Sequence, residues 1–345
     1  MKLRTKLCNP EIYSQFVPNV VDMNNSWTCP IQEKGKLFYR RGFSTSAEIL
    51  NEIVANVHDV PSANCLIFSS CIGIACVLSA VYNWTRILVV KGTYMEMQAA
   101  YGAYNNIELI ESDFVDFKKD DLVCFDTVNL TNCKVNDYSD LVKRAQKVGA
   151  KICIDNTVPT WYNLDCKEYD PDYLIESLSK FCNGMNNSIL GWVYCKDICD
   201  KEMLENKFGT YSFAPHPVDC FLTTCGLQTF DFRMEQIKNT SKAIDAKLKE
   251  IVIPEIDYTC YVPSGIFMIK IPEYKNRDDL WKLDFKVIRK AVTFGAGFTV
   301  IDMGEMAEGR NSIRISVGLE DFQDIFPDII TLINWLYDKT FVFNP

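Results

Sequence analysis

The run from Val60 to Thr85, VPSANCLIFSSCIGIACVLSAVYNWT, carries no charged residue. A stretch of that length without charge has few places to go in a folded chain. By length alone it would span a bilayer. Pro61, Asn64, Ser69, Ser70, Ser79 and Asn83 interrupt it, however, and it divides into two patterns. Residues 64–70 read as a short buried strand, and residues 71–83 as a helix apolar on nearly all sides. The expected unit is therefore a strand running straight into a buried helix.

The same alternation continues downstream. Residues 86–90 (RILVV), 107–111 and 122–125 are strand-like apolar runs, with a plausible helix over 93–104. An amphipathic helix over 138–149 ends in Gly149, and 151–155 (KICID) closes an apolar run on an acid. Further strands are predicted over 172–177 and 189–195. Strands separated by helices predict an α/β domain with a mainly parallel sheet covered on both faces. In such sheets functional groups gather at the carboxyl ends of the strands. Ser69, Ser70, Asp155 and Lys180 fall at or just after such ends. Residues 218–251 read as one long connecting helix. Pro254, Pro263 and Pro272 then punctuate short strands such as 265–271, predicting a smaller α+β domain. The expected organisation is an N-terminal arm over 1–45, a large domain over 46–250 and a small domain over 251–345.

Composition narrows the chemistry. Hydrophobic residues make up 48% of 345 and charged residues 23%, enough to bury a core. With 36 Lys and Arg against 45 Asp and Glu the net charge is −9, so nothing general attracts nucleic acid or an anionic membrane. The 15 cysteines are scattered without any C-x-x-C, and the two histidines, His58 and His216, build no Cys/His metal cluster. Buried reduced thiols and a cytoplasmic location are the expectation. Residues 1–10 alternate charged and apolar side chains with no apolar core of a secretory signal.

Three segments can carry chemistry. Ser177-Leu178-Ser179-Lys180-Phe181 places a lysine after a strand with hydroxyls one and three residues before it. That is the local pattern of a Schiff-base lysine with phosphate-holding hydroxyls, although most such strings are surface loops. Asp155, in KICIDNT, can pair with a protonated pyridine nitrogen or simply cap a turn. Ser69-Ser70-Cys71-Ile72-Gly73 opens a buried helix, where backbone N–H groups favour a phosphate, or where the residues only pack.

Together these residues resemble the pyridoxal-phosphate enzymes of cysteine and methionine metabolism: cystathionine γ-lyases, γ-synthases and β-lyases, and methionine γ-lyases. The resemblance runs from about Leu37 to the C-terminus. KLFYRRGFST resembles the family's Tyr-x-Arg-x-x-Asn-Pro-Thr, with Tyr39 and Arg41 on a phosphate-binding pair that reaches across from the neighbouring subunit. FSSCIGIA resembles the Ser-Gly-Met phosphate loop, with Ser70 matched and Cys71 and Ile72 at the Gly and Met positions. KGTYMEMQ puts Tyr94 on the ring-stacking tyrosine, and Asn129 falls on the asparagine of a Thr-Asn-Pro motif. Asp155-Asn156-Thr157 matches Asp-Asn-Thr, and SLSKFCNG, with Ser177, Ser179 and Lys180, matches Ser-x-Thr-Lys-Tyr-x-x-Gly. CGLQTFDFRM resembles the Arg-Gly-Leu-x-Thr-Leu-x-x-Arg-Met signature. RNSIRISVGLEDFQDIFPDI places Arg314 on the arginine that holds the substrate carboxylate, and TFGAGFTV places Thr299 on a serine near it.

The resemblance implies fold-type I architecture and pyridoxal 5'-phosphate on Lys180. It implies that Asp155 pairs with the ring nitrogen, that Lys180 moves the α-proton and that Tyr94 serves near the leaving group. Asn129 would meet cofactor and substrate, and Arg314 and Thr299 the substrate. The implied reaction is elimination or replacement at Cβ or Cγ of a sulfur-containing or O-activated amino acid. It would run in a homodimer with shared sites, or a tetramer built from it. A catalytically silent binding or structural subunit is the alternative, and Lys180, Asp155, Tyr94 and Arg314 all being in place argue against it. The departures are Cys71 for a glycine, Phe298 where several relatives have a glutamate, Met185-Asn186 where a histidine is usual, and a shorter arm.

Overall fold

A computed structural model of the chain describes residues 31–33, 36–38, 44–111, 115–129, 132–251, 257–302 and 312–338. Tyr39 and Arg41 lie outside the described residues. The chain divides into two compact units, the first reaching Val128 and resuming over Asn136–Asp231, the second taking Asn129–Val135 and everything from Phe232 onward. The sequence alone grouped residues 230–250 with the larger domain, whereas here nearly all of that helix clusters with the second unit.

The first unit is built on a seven-stranded sheet. Its strands are β1 (Cys65–Phe68), β2 (Ile87–Val90), β3 (Ile107–Ile110), β4 (Leu122–Asp126), β5 (Lys151–Asp155), β6 (Tyr173–Ser177) and β7 (Gly191–Cys195). The order across the sheet is β1-β7-β6-β5-β4-β2-β3. All neighbours pair in parallel except β7, which runs antiparallel to both β6 and β1. β1, β2 and β4 are buried along their whole length, as continuous apolar strands in a doubly covered sheet should be. The flanking helices are α1 (Thr45–His58), α2 (Cys71–Val81), α3 (Met95–Tyr101), α4 (Ser139–Lys147), α5 (Ile198–Phe208) and α6 (Pro217–Leu227). Ile74, Val77 and Leu78 of α2 and Met97 and Tyr101 of α3 pack on Phe68, Val89, Cys153 and Ile175 of the sheet. The charge-free run is thus β1 followed by α2, as its two patterns require.

The single helix expected over 218–251 is two helices, α6 and α7 (Phe230–Glu250). Just before the break the backbones come close: a Cβ on Gly226 would lie 2.1 Å from the Asn183 carbonyl oxygen. Thr229 then folds back, its N–H and its hydroxyl both donating to the Gly226 carbonyl at 3.2 Å. Helix α6 begins cleanly, with His216 Nδ1 accepting from the Val218 N–H at 3.2 Å and Pro217 in the first turn.

The second unit carries a five-stranded sheet of β8 (Tyr258–Tyr261), β9 (Ile266–Lys270), β10 (Arg289–Ala291), β11 (Val300–Asp302) and β12 (Ser312–Ser316), ordered β8-β9-β12-β11-β10. Only β10 and β11 pair in parallel. Helix α8 (Phe322–Tyr337) buries Ile325, Phe326, Ile329 and Ile333. Its Asp328 accepts from the Lys286, Val287 and Ile288 N–H groups at 3.0, 2.7 and 2.9 Å, fixing the approach to β10. No helix among the described residues is long and apolar enough to cross a membrane.

Candidate active site

Within the first unit, the expected residues converge at the carboxyl ends of β1, β5 and β6. Ser70 caps α2: its hydroxyl accepts from the Gly73 N–H at 3.1 Å, and its extended backbone turns the chain out of β1. Cys71, Ile72 and Gly73 therefore present first-turn N–H groups at the positive end of the helix dipole. Ile72 is exposed, so this helix end is open. Gly191 of β7 lies under the turn, where a Cβ would come within 2.5 Å of the Cys71 nitrogen. No side chain fits there without moving α2. Gly191→Ala is expected to cost about 1–3 kcal/mol, the usual price of overpacking, read as a lower thermal midpoint together with weaker cofactor retention.

Asp155 ends β5. Its Oδ1 accepts from the Thr157 N–H at 2.9 Å, which pulls its pKa down, but burial is the larger effect and pushes the carboxyl up to about 6. A carboxylate so placed is stabilised by a cationic partner. Strand alternation turns Asp155 to the same face as Cys153, the face covered by α2 and α3. The Cys71 thiol links this carboxylate to the lysine turn. Burial raises its pKa strongly, the negative charge of Asp155 adds to the rise, and a Ser177 hydrogen bond and the Lys180 charge oppose it.

Lys180 sits in a single wide turn, Leu178–Cys182, and breaks its helical backbone with φ −92° and ψ −121°. The turn is closed by the Asn183 N–H donating to Leu178 O at 3.0 Å and the Gly184 N–H to Lys180 O at 2.8 Å. Thr157 Oγ1 accepts from the Ser177 N–H at 2.8 Å, joining the Asp155 turn to the strand that leads into the lysine. Ser179 has its hydroxyl engaged on both sides, donating to Leu190 O at 3.1 Å and accepting from Leu190 N at 2.8 Å. It fastens the turn to the segment leading into β7. Tyr94 follows β2 as the residue preceding α3. Its N–H donates to Asp126 Oδ2 at 2.9 Å, its phenol bonds to Glu96, and its ring is exposed.

The remaining expected residues lie in the second unit. Asn129 accepts through its carbonyl from Cys133 N at 2.9 Å, tying the end of the short strand Val128–Asn129 to the residue before Lys134–Val135. Thr299 is fully buried; its hydroxyl donates to Glu320 Oε2 at 2.7 Å and accepts from Gly318 N at 2.9 Å, so the side chain braces its own loop. Arg314 is 8% exposed and pairs with Asp302 at 2.6 Å, with its Nε buried and unpartnered. Its guanidinium also lies 5.1 Å over the Phe294 ring. Phe298 packs its ring under Arg289 at 4.2 Å. Asp302 was not singled out from sequence, because pairing with Arg314 depends on the return of β12 beside β11.

The donor set at the three strand ends fits pyridoxal phosphate. An open helix N-terminus suits its phosphate, a carboxylate lifted by burial suits its ring nitrogen, and a lysine amine suits its carbonyl. A family model described as Cys/Met metabolism PLP-dependent enzyme matches residues 13–264. The chain is 26% identical over 215 residues to a cystathionine gamma-synthase of Haemophilus influenzae, covering 56% of each, and so spans little more than half of that relative. It is 23% identical over 284 residues to a cystathionine gamma-lyase of Dictyostelium discoideum, covering 72% of each. In fold it resembles the crystal structure of cystathionine gamma-lyase from Lactobacillus plantarum with L-serine, at TM-score 0.81 and 16% identity over 97% of this chain and 99% of that one. The match of the family model across most of the sequence, joined to a fold-type I sheet with this donor set at its carboxyl ends, makes the chain a member of the pyridoxal-phosphate-dependent enzymes of cysteine and methionine metabolism.

Proposed function

We propose that this protein is a pyridoxal-phosphate-dependent lyase or transferase acting at Cβ or Cγ of a sulfur-containing or O-activated amino acid. The observation that carries this reading is the gathering of Lys180, Asp155 and the Ser70–Gly73 turn around the Cys71 thiol. Bound pyridoxal phosphate supplies a carbonyl that condenses with amines and a ring that accepts electrons from Cα. The protein supplies the rest. The first-turn N–H groups of α2 and the Ser70 and Ser177 segments would hold the phosphate end, while Ser179, expected there from sequence, has its hydroxyl engaged by Leu190 and braces the lysine turn instead. Asp155 keeps a proton on the ring nitrogen through its charge. The Lys180 amine would take the α-proton of the substrate, and a second proton from Cβ where the bond to be broken is at Cγ, while the Cβ or Cγ substituent departs with a proton delivered near it by the Tyr94 phenol. Tyr94 offers an aromatic face and a phenol at the end of β2. Asn129 and Arg314 orient the substrate, the guanidinium through charge-assisted bonds to the α-carboxylate that fix which Cα bond is broken.

Arg314→Ala is expected to raise KM about 10–100-fold, the scale of a lost bidentate carboxylate pair, while leaving the absorbance of the bound cofactor unchanged. The reading extends to a homodimer, or a tetramer built from it, in which Tyr39 and Arg41 complete the partner's phosphate site. The cysteines of the described residues are unbridged, which supports a reducing, cytoplasmic setting. The deciding experiment incubates the loaded enzyme with cystathionine, methionine, cysteine and O-acylhomoserines and follows keto acid and thiol release. Turnover of none of them would overturn the assignment.

A further inference from the structure

Behind the lysine turn lies a buried pair that the reaction does not call on directly. Glu176, the residue before Ser177 on β6, is fully buried, and strand alternation turns it to the sheet face opposite Asp155. His58, in the last turn of α1, reaches it with Nε2 at 3.1 Å from Glu176 Oε2. Trp192, the cross-strand partner of Glu176 on β7, stacks on the His58 ring at 4.4 Å, and the Trp161 ring meets that ring edge-on at 5.1 Å. The second oxygen, Oε1, faces the Cys182 thiol at 3.6 Å, and the Trp161 backbone lies near enough to oppose slightly the rise in the carboxyl's pKa. Cys182 closes the turn that carries Lys180. Trp161 belongs to the short helix Thr160–Asn163 that follows Asp155-Asn156-Thr157. One carboxyl group therefore touches the lysine turn, the chain leaving Asp155, and α1.

We propose that Glu176, anchored by His58, is a positioning residue for Lys180, holding the lysine turn in register with the Asp155 segment from the far side of the sheet. The proposal rests on Lys180 being the cofactor lysine. The carboxyl group lies beside an imidazole that is itself packed between two indoles, a low-dielectric place where the loss of a contact is felt; its Oε2 meets His58 at ion-pair distance without a hydrogen bond. Burial raises the Glu176 pKa well above its usual range, and the charge of Asp155 adds to the rise. The groups that face it are His58 from α1, Cys182 from the lysine turn, Cys166 from the turn Cys166–Tyr169, and, through the sheet, Asp155 and Cys71. The hydrogen bond from Ser177 N to Thr157 joins the same two segments on the other side. Glu176 and Thr157 thus clamp the strand end from both faces.

The test uses the full chain loaded with pyridoxal phosphate and two readouts other than turnover. They are the pH midpoint of the absorbance of lysine-bound cofactor and the rate of cofactor release. Glu176→Ala is expected to speed release about tenfold, the scale of one lost hydrogen bond, and to displace the midpoint. Glu176→Gln keeps the shape and the acceptor for Cys182, and is expected to recover most of the release rate. His58→Gln lies a helix away from the lysine. It is expected to move the midpoint by about 0.5 pH unit in the wild type and not at all in the Glu176→Gln background, because its influence runs through that carboxyl. If Glu176→Ala does not fold, the His58→Gln pair of measurements decides alone. Unchanged midpoint and release in His58→Gln, or in a folded Glu176→Ala that only melts earlier, would overturn the proposal and leave a structural contact. Lys180→Ala separates this from the reading beneath it: lysine-bound absorbance persisting there means that the lysine assignment failed.

Discussion

Lys180→Ala protein is expected to fold with its sheet intact and to lose the near-visible absorbance of lysine-bound cofactor. Borohydride then no longer fixes the cofactor to the chain, and turnover falls by at least about 10³-fold, within the range for losing a positioned acid–base group. The expectation comes from geometry as much as from motif. Lys180 is held at the mouth of a turn closed at both ends by backbone hydrogen bonds, and its charge is felt by the thiol that also feels Asp155. Far-ultraviolet dichroism checks the fold, and mass spectrometry of the reduced protein locates the modified residue. A cofactor adduct on another lysine would sink the assignment.

Asp155→Asn separates two roles of one carboxyl group. In the loaded enzyme it is expected to leave cofactor bound but lower turnover about 10²–10³-fold, as losing a fixed charge aimed at the reacting system does. In the cofactor-free chain the effect has the opposite sign. The folded pKa is raised from 3.8 to about 6 by burial, so the native state holds this proton more tightly than the unfolded chain. The cost of burying the charge is absent below the unfolded pKa and complete above about pH 6. Cofactor-free Asp155→Asn should therefore match wild type near pH 4 and exceed it by about 1–3 kcal/mol at pH 7. Denaturant melts at the two pH values check it, and an equal difference at both would refute a raised pKa.

Much of the first unit was legible from residues 60–195 because its information is local. The apolar runs at 87–90 (ILVV), 122–126 (LVCFD) and 173–177 (YLIES) read as strands of a sheet covered on both faces, and Ser70 marks the start of α2 by its own hydroxyl. The break between α6 and α7 was not legible, because 225–230 carries no proline and the turn of Thr229 back onto the Gly226 carbonyl appears only in the folded chain. The same holds for Thr299. Its hydroxyl looks free in TFGAGFTV and is engaged only once Glu320 and Gly318 come round to it. From sequence, Glu176 is one residue of a predicted strand over 172–177 and His58 one of two scattered histidines, and neither reports the other. Pairings between distant segments are what the chain acquires on folding.

The antiparallel strand β7 sets the order in which this protein can become competent. It is the last strand of the sheet to leave a ribosome, yet it is wedged between β1, which leaves first, and β6. Until Gly191–Cys195 has emerged, β1 has no neighbour in the sheet, and the turn at Ser70 has no floor. A nascent chain ending near residue 185 thus carries the lysine, the aspartate and the serine turn but no place for a phosphate. Closing so long a loop late is slow relative to local helix formation. The turn at Ser70 is therefore completed only when the last strand of its sheet arrives.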